Sequence, residues 1–211
     1  KKKAEEILKQ LSRYYPSVKK TALAFSNPLE ILVATILSAQ CTDKRVNQIT
    51  PTIFRKYKRA SDYASANINV FEQEIKSTGF YHNKAKNITG ACKIINEKYN
   101  GNVPKTMNEL LELPGVARKT ANIVLGNAFG IVDGIAVDTH VKRLSYRLGF
   151  TKNDNPEKIE QDLMKIFSKD EWFALSNLLI EHGRNICKAQ NPNCKNCFLV
   201  DMCCRIGVFN D

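Results

Sequence analysis

Leu113-Pro114-Gly115-Val116-Ala117-Arg118-Lys119-Thr120-Ala121-Asn122 is the stretch on which the reading of this chain turns. Leu113 and Val116 are apolar and flank a Pro-Gly pair, so they can pin a tight turn between two helices, and Gly115 tolerates unusual dihedrals. Thr106 is placed to cap a short helix over 107–113, and a second helix is expected over 118–129. The N–H groups at a helix start lack intrahelical partners and sit at the positive end of the dipole, so such a turn can hold a phosphate. A plain helix-to-helix connection is the ordinary meaning of Pro-Gly; Arg118-Lys119-Thr120 directly after it moves the reading towards a phosphate contact. Lys119 adds a second capability, because a neutral amine can attack an electrophilic carbon and end as a Schiff base. Val137-Asp138-Thr139-His140 then brings a carboxylate that can also cap a helix running to Leu148.

Working outward, helical periods dominate. Ile7, Leu8, Leu11, Tyr14 and Tyr15 form an apolar stripe in a first helix. Asn27-Pro28 opens a second, with Asn as cap and Pro at the first helical position, and Leu29–Leu37 is apolar almost all round, which marks a buried central helix. Thr42-Asp43 starts a third, which Pro51 is expected to kink or split. Shorter helices are expected over 60–66 and 69–77, and Gly79-Phe80-Tyr81 breaks the pattern before a helix over 83–99. Asn155-Pro156 opens another to Phe167, and a last long helix covers 171–185. There is no clear period-2 strand and no repeat, so the fold class is all-α.

The 211 residues suffice for one large or two small domains. With 32 Lys+Arg against 21 Asp+Glu the net charge is +11, which favours a polyanionic partner, nucleic acid before an acidic membrane surface. No stretch approaches the roughly 18–20 apolar residues of a membrane span. The start, Lys1-Lys2-Lys3-Ala4, is no apolar signal core, and the expectation is a cytoplasmic, nucleoid-associated monomer with no membrane. Of the seven cysteines, Cys41 and Cys92 stand alone, whereas Cys187, Cys194, Cys197, Cys203 and Cys204 crowd the C-terminal end. That distribution reads as a metal site in a reducing compartment and not as a secreted disulfide framework. Cys187-x6-Cys194-x2-Cys197-x5-Cys203 is a four-thiolate set that suits zinc or an iron–sulfur cluster equally by spacing, with Cys204 spare.

Taken with the cysteine spacing, LPGVARKTAN followed by VDTH resembles the endonuclease III family of helix-hairpin-helix DNA base-excision glycosylases. The resemblance runs from Phe25-Ser26-Asn27-Pro28 to Cys203. It implies two helical domains flanking a basic cleft, residues 21–131 forming a six-helix barrel with the hairpin at about 106–129, and residues 1–20 with 132–211 forming an iron–sulfur domain. Lys119 would be the nucleophile and Asp138 the essential carboxylate, at the mouth between the domains. Cys187, Cys194, Cys197 and Cys203 would hold a [4Fe–4S] cluster, and Lys188 in the first Cys–Cys loop would face DNA. Gly115, Ala117, Arg118 and Thr120 would contact DNA through the hairpin.

A base in a stack must be flipped out before its sugar can be reached, and the gap needs plugs. Ser38-Ala39-Gln40-Cys41-Thr42-Asp43 resembles the family segment whose Gln fills that gap, which assigns Gln40 as plug and Asp43, with His140, to the lesion pocket. Gly79-Phe80-Tyr81 resembles the wedge loop; relatives often carry Leu where this chain has Phe80. Ala117 stands where these hairpins often have Gly, and the connector 130–136 is about one residue longer than in relatives. The implied activity is a bifunctional glycosylase and AP lyase acting on oxidised pyrimidines in damaged double-stranded DNA. A pyrimidine-dimer glycosylase of the same family, a non-catalytic helix-hairpin-helix DNA-binding module and a cluster-based electron carrier are the alternatives.

Overall fold

The computed structural model describes residues 1–18 and 20–208; Lys19 and residues 209–211, which fall within the expected iron–sulfur domain, lie outside the described residues. All regular structure among the described residues is helical. The chain divides into two units, Thr21–Ile131 and a second made of Lys1–Lys20 with Val132–Asp211.

The Thr21–Ile131 unit is built around α2 (Pro28–Leu37). Asn27 caps it by accepting a hydrogen bond from the Glu30 N–H at 3.0 Å, and Pro28 takes the first helical position. Every residue of α2 except Pro28 and Glu30 is buried, so it is wrapped by its neighbours on all sides. Those neighbours are α3 (Asp43–Lys56), α6 (Tyr81–Lys98) and α8 (Arg118–Val124). The small helices α4 (Ala60–Ala64) and α5 (Ile68–Ile75) close one side with Tyr57, Tyr63 and Phe71, whose rings pack 4.9–5.8 Å apart. Cys92 is buried in this core, which pushes its thiol up to about 12 and leaves it inert.

Two local expectations are corrected here. Pro51 does not split α3, which runs unbroken from Asp43 to Lys56. Val46, Thr50 and Ile53 bracket the proline and are buried, so tertiary packing outweighs the one lost backbone hydrogen bond. The helix expected over 118–129 changes character: α8 ends at Val124 and a π turn follows over Leu125–Phe129, closed by left-handed Gly130. The buried Asn127 explains the change. Its amide donates to the Ile123 carbonyl at 2.8 Å and its oxygen accepts the Thr21 N–H at 3.0 Å, which ties the two ends of the unit together.

The second unit joins α1 (Lys2–Tyr14) to α9 (Thr139–Arg147), α10 (Pro156–Ile166) and α11 (Trp172–Asn185). Ile7, Leu8 and Leu11 enter its core beside Val141, Leu144, Leu163, Leu175 and Leu179. Tyr14 differs from its expected place on the stripe: it is 55% exposed and stacks on Phe198 at 4.1 Å. The connector before α9 is anchored by polar contacts, with Ile135 N–H donating to Glu160 at 3.1 Å and Ser176 to the Ala136 carbonyl at 2.8 Å.

Candidate active site and metal centre

The hairpin is assembled from α7 (Met107–Leu111), the turn and α8. Thr106 caps α7 by accepting the Glu109 N–H and returns a hydroxyl bond to the Glu109 carboxylate at 2.6 Å. Leu113 and Val116 are both buried and a 3.1 Å bond from Val116 N–H to the Leu113 carbonyl closes the turn between them. Gly115 has φ +77°, and a Cβ there would stand 2.8 Å from the Cβ of Asn87, so both the dihedral and the space require glycine. Ala117 is exposed, with φ −98° and ψ 172°, a conformation open to any residue, so nothing here depends on a glycine at 117. As the helix cap it offers no side-chain oxygen, and the first turn of α8 takes no side-chain cap. Lys119 is exposed in that first turn, between half-buried Arg118 and Thr120.

Two further loops of this unit carry the other nucleic-acid candidates. Gln40 is exposed at the tip between α2 and α3 with φ +52°, and Asp43, half-buried, begins α3. Phe80 caps α6 with φ +48° and, at 62%, is the most exposed large hydrophobic side chain among the described residues.

Asp138 belongs to the second unit. It is the cap of α9: one carboxylate oxygen accepts the Val141 N–H at 2.8 Å, and the residue is half-buried. His140, one step into α9, lies against α11. Its Nδ1 is 3.1 Å from an Arg143 guanidinium nitrogen, and a Cβ at Gly183 would come within 2.6 Å of it. Burial pulls the imidazole below its ordinary value, partly opposed by the nearby Asp138 charge.

Cys187, Cys194, Cys197 and Cys203 line one cavity, together with Leu144, Arg147 and His182. Among the described residues no three His, Cys, Asp or Glu side chains are drawn together tightly enough to hold a metal ion. Burial raises the Cys197 and Cys203 thiols, and the other cysteines of the set add to the effect. Cys204 lies outside the cavity lining and sits 3.4 Å from the Lys3 ammonium. Lys188 is exposed in the loop after Cys187.

Sequence reasoning missed the residues that hold this loop. Arg147 donates to the Lys188 carbonyl at 2.7 Å, the Ala189 carbonyl at 3.0 Å and Cys187 Sγ at 3.3 Å. Arg143, one helical turn earlier, donates to the Cys187 carbonyl at 2.9 Å and the Gly183 carbonyl at 3.1 Å. Their i, i+4 spacing on an amphipathic helix was a signal available in the sequence. His182 is buried, which pulls it down to about 4; its two nitrogens lie 3.1 Å from the Tyr15 hydroxyl and 3.4 Å from Cys197 Sγ. This relay ties the residue just after α1 to the cysteine loop.

The family described as "HhH-GPD superfamily base excision DNA repair protein" matches residues 33–169. The endonuclease III of Synechocystis sp. is 52% identical over 203 residues, covering 96% of this chain and 92% of the relative. That of Bacillus subtilis is 47% identical with the same coverage. A solved structure of a trapped endonuclease III–DNA covalent intermediate superposes with a TM-score of 0.91 at 45% identity, covering 96% of this chain and 94% of that one. The two-helix hairpin with its required glycine, the all-helical fold and these full-length likenesses lead to one conclusion: the chain belongs to the endonuclease III family, within the HhH-GPD superfamily of base-excision DNA repair proteins.

Proposed function

We propose that this DNA glycosylase and AP lyase binds damaged double-stranded DNA, excises oxidised pyrimidines with Lys119 as nucleophile and Asp138 as its carboxylate, and then cleaves the strand. The observation that carries the reading is Lys119 itself, an exposed amine in the first turn of a helix that follows the Gly115 turn, in a chain 45% identical to a protein trapped covalently on DNA. The hairpin would seat a phosphate on the N–H groups at the start of α8, next to the Arg118 side chain.

The chemistry balances with these two groups. As the glycosidic bond breaks, its electron pair leaves with the base and positive charge grows at C1′, where a carboxylate stabilises it. The neutral Lys119 amine supplies the pair that forms the new C1′–N bond. Loss of a proton from nitrogen and opening of the sugar ring give an imine. The imine acidifies the C2′ proton, and its removal expels the 3′ phosphate by β-elimination. Asp138 can take a proton through the oxygen that does not cap α9.

The cysteine cavity would hold a [4Fe–4S] cluster, which would brace the loop carrying Lys188. A single zinc gathers four sulfurs at about 2.3 Å from one ion. The four thiols line one cavity, and their x6, x2, x5 spacing in a member of this family supports the cluster over a single zinc. Arg147 and His182 then serve as donors to thiolate sulfur.

Borohydride reduction in the presence of abasic duplex tests the nucleophile. The wild-type protein should give a covalent protein–DNA adduct, and Lys119→Ala should lose it by at least about a thousandfold. An adduct that persists in Lys119→Ala would remove Lys119 from the role.

A further inference from the structure

Lys84 is a buried lysine that the chemistry above does not use. It is 3% exposed, on the first turn of α6, and its ammonium donates to two main-chain carbonyls, Leu37 at 2.7 Å and Thr78 at 2.9 Å. Leu37 is the last residue of α2, three positions before Gln40. Thr78 ends the short 3-10 turn Lys76–Thr78, two positions before Phe80. One charged group therefore joins the roots of the two loops whose tips are Gln40 and Phe80. Its backbone takes part as well, since the Lys84 N–H donates to the Phe80 carbonyl at 3.1 Å and closes the first turn of α6 on the tip residue.

Three physical points indicate that this clamp has work beyond packing. A buried ammonium is costly to desolvate, and a neutral donor could satisfy either carbonyl at lower cost. A cation can satisfy both because each carbonyl lies at the end of a helical segment, where the dipole favours positive charge. Both tips are also strained: Gln40 and Phe80 are exposed non-glycine residues in left-handed backbone, a state that persists only where the surroundings over-determine it. Burial lowers the Lys84 ammonium from its ordinary value, in keeping with its dry setting.

We propose that Lys84 is a positioning residue that couples the two tips, so that Gln40 and Phe80 enter a duplex together around an extruded nucleotide. The proposal rests on the base-excision reading of the site. It is specific to duplex opening, and single-stranded substrate, which has no stack to open, provides the contrast.

The experiment compares wild type and Lys84→Met in two assays: single-turnover excision from a duplex carrying thymine glycol, and borohydride trapping on a single-stranded abasic oligonucleotide. Loss of a donor to two buried carbonyls at the loop roots should slow duplex excision by about tenfold or more relative to single-strand trapping. An equal fall in both assays, or none, overturns the proposal. Failure of the wild type to trap any adduct overturns instead the reading of Lys119, so the two failures are distinguishable. Lys84→Gln, which keeps a donor but is too short to span both carbonyls, serves if the Met variant does not fold, with a smaller loss in the same direction. A double-mutant cycle of Gln40→Ala and Phe80→Ala on duplex substrate supplies a second readout. The two losses should fall short of multiplying in the wild type and should multiply in the Lys84 variant. Losses that multiply in both backgrounds overturn the coupling.

Discussion

The two units of this protein are held together by different means. The Thr21–Ile131 unit is continuous in sequence and rests on apolar burial, with α2 wrapped on every side and an aromatic cluster of Tyr57, Tyr63 and Phe71. The other unit gathers its first twenty residues to a distant C-terminal segment, and its last part, from Cys187 onward, has among the described residues only short 3-10 turns. That part is pinned by polar links: Arg143 and Arg147 on carbonyls, and Tyr15–His182–Cys197 in series. A segment with little regular structure cannot satisfy its own backbone, so long side chains from neighbouring helices do it instead.

Trp172 is the only tryptophan and lies in the second unit, so its fluorescence reports on that unit separately from whole-chain circular dichroism. The contrast between the units can be broken with three substitutions, taken from the largest expected effect downward. Phe71→Ala removes a fully buried ring from the first unit and should cost about 3–5 kcal/mol in the denaturant transition seen by circular dichroism. If the units melt separately, the Trp172 transition stays near its original midpoint; a matching shift would show them to unfold as one.

Arg147→Met makes the reciprocal cut. It leaves the Lys188 and Ala189 carbonyls without their donor and should cost about 1–3 kcal/mol, this time in the Trp172 transition. It should also speed chelator-induced bleaching of the visible absorption that the proposed iron–sulfur cluster would give, by removing the donor to Cys187 Sγ. Retention of wild-type bleaching would mean the loop does not depend on this arginine.

Gly115→Ala is the mildest cut. The left-handed dihedral and the contact with Asn87 should cost about 1–2 kcal/mol in the first unit. Affinity for undamaged duplex DNA should fall with it, because the turn is the proposed phosphate seat. A variant that loses stability yet binds DNA as before would separate the two roles.

Much of this was legible in the sequence because it is local. Asn27, Thr42, Thr106, Asp138 and Asn155 each cap the helix they precede, and a cap depends on neighbours within one turn. The Pro114-Gly115 turn and the cysteine spacing are local in the same sense. The loop-tip backbone of Gln40 and Phe80 was not legible, because neither residue favours a left-handed conformation by type. Lys84 reads in sequence as one lysine among many; only the meeting of α2, α6 and the Lys76–Thr78 turn makes it a buried donor.

By itself, then, the sequence determined where helices start, where the hairpin turns and which thiols travel together, because backbone dihedrals and caps answer to adjacent residues. Tertiary structure alone decided that α3 runs through Pro51, that α8 passes into a π turn around Asn127, and that buried Lys84, Arg147 and His182, with half-buried Arg143, become polar ties. The physical reason is common to all of them. Each satisfies a polar group, or outweighs the loss of one, with partners or burial supplied by residues distant in sequence, and one-dimensional patterns do not record which distant groups will meet.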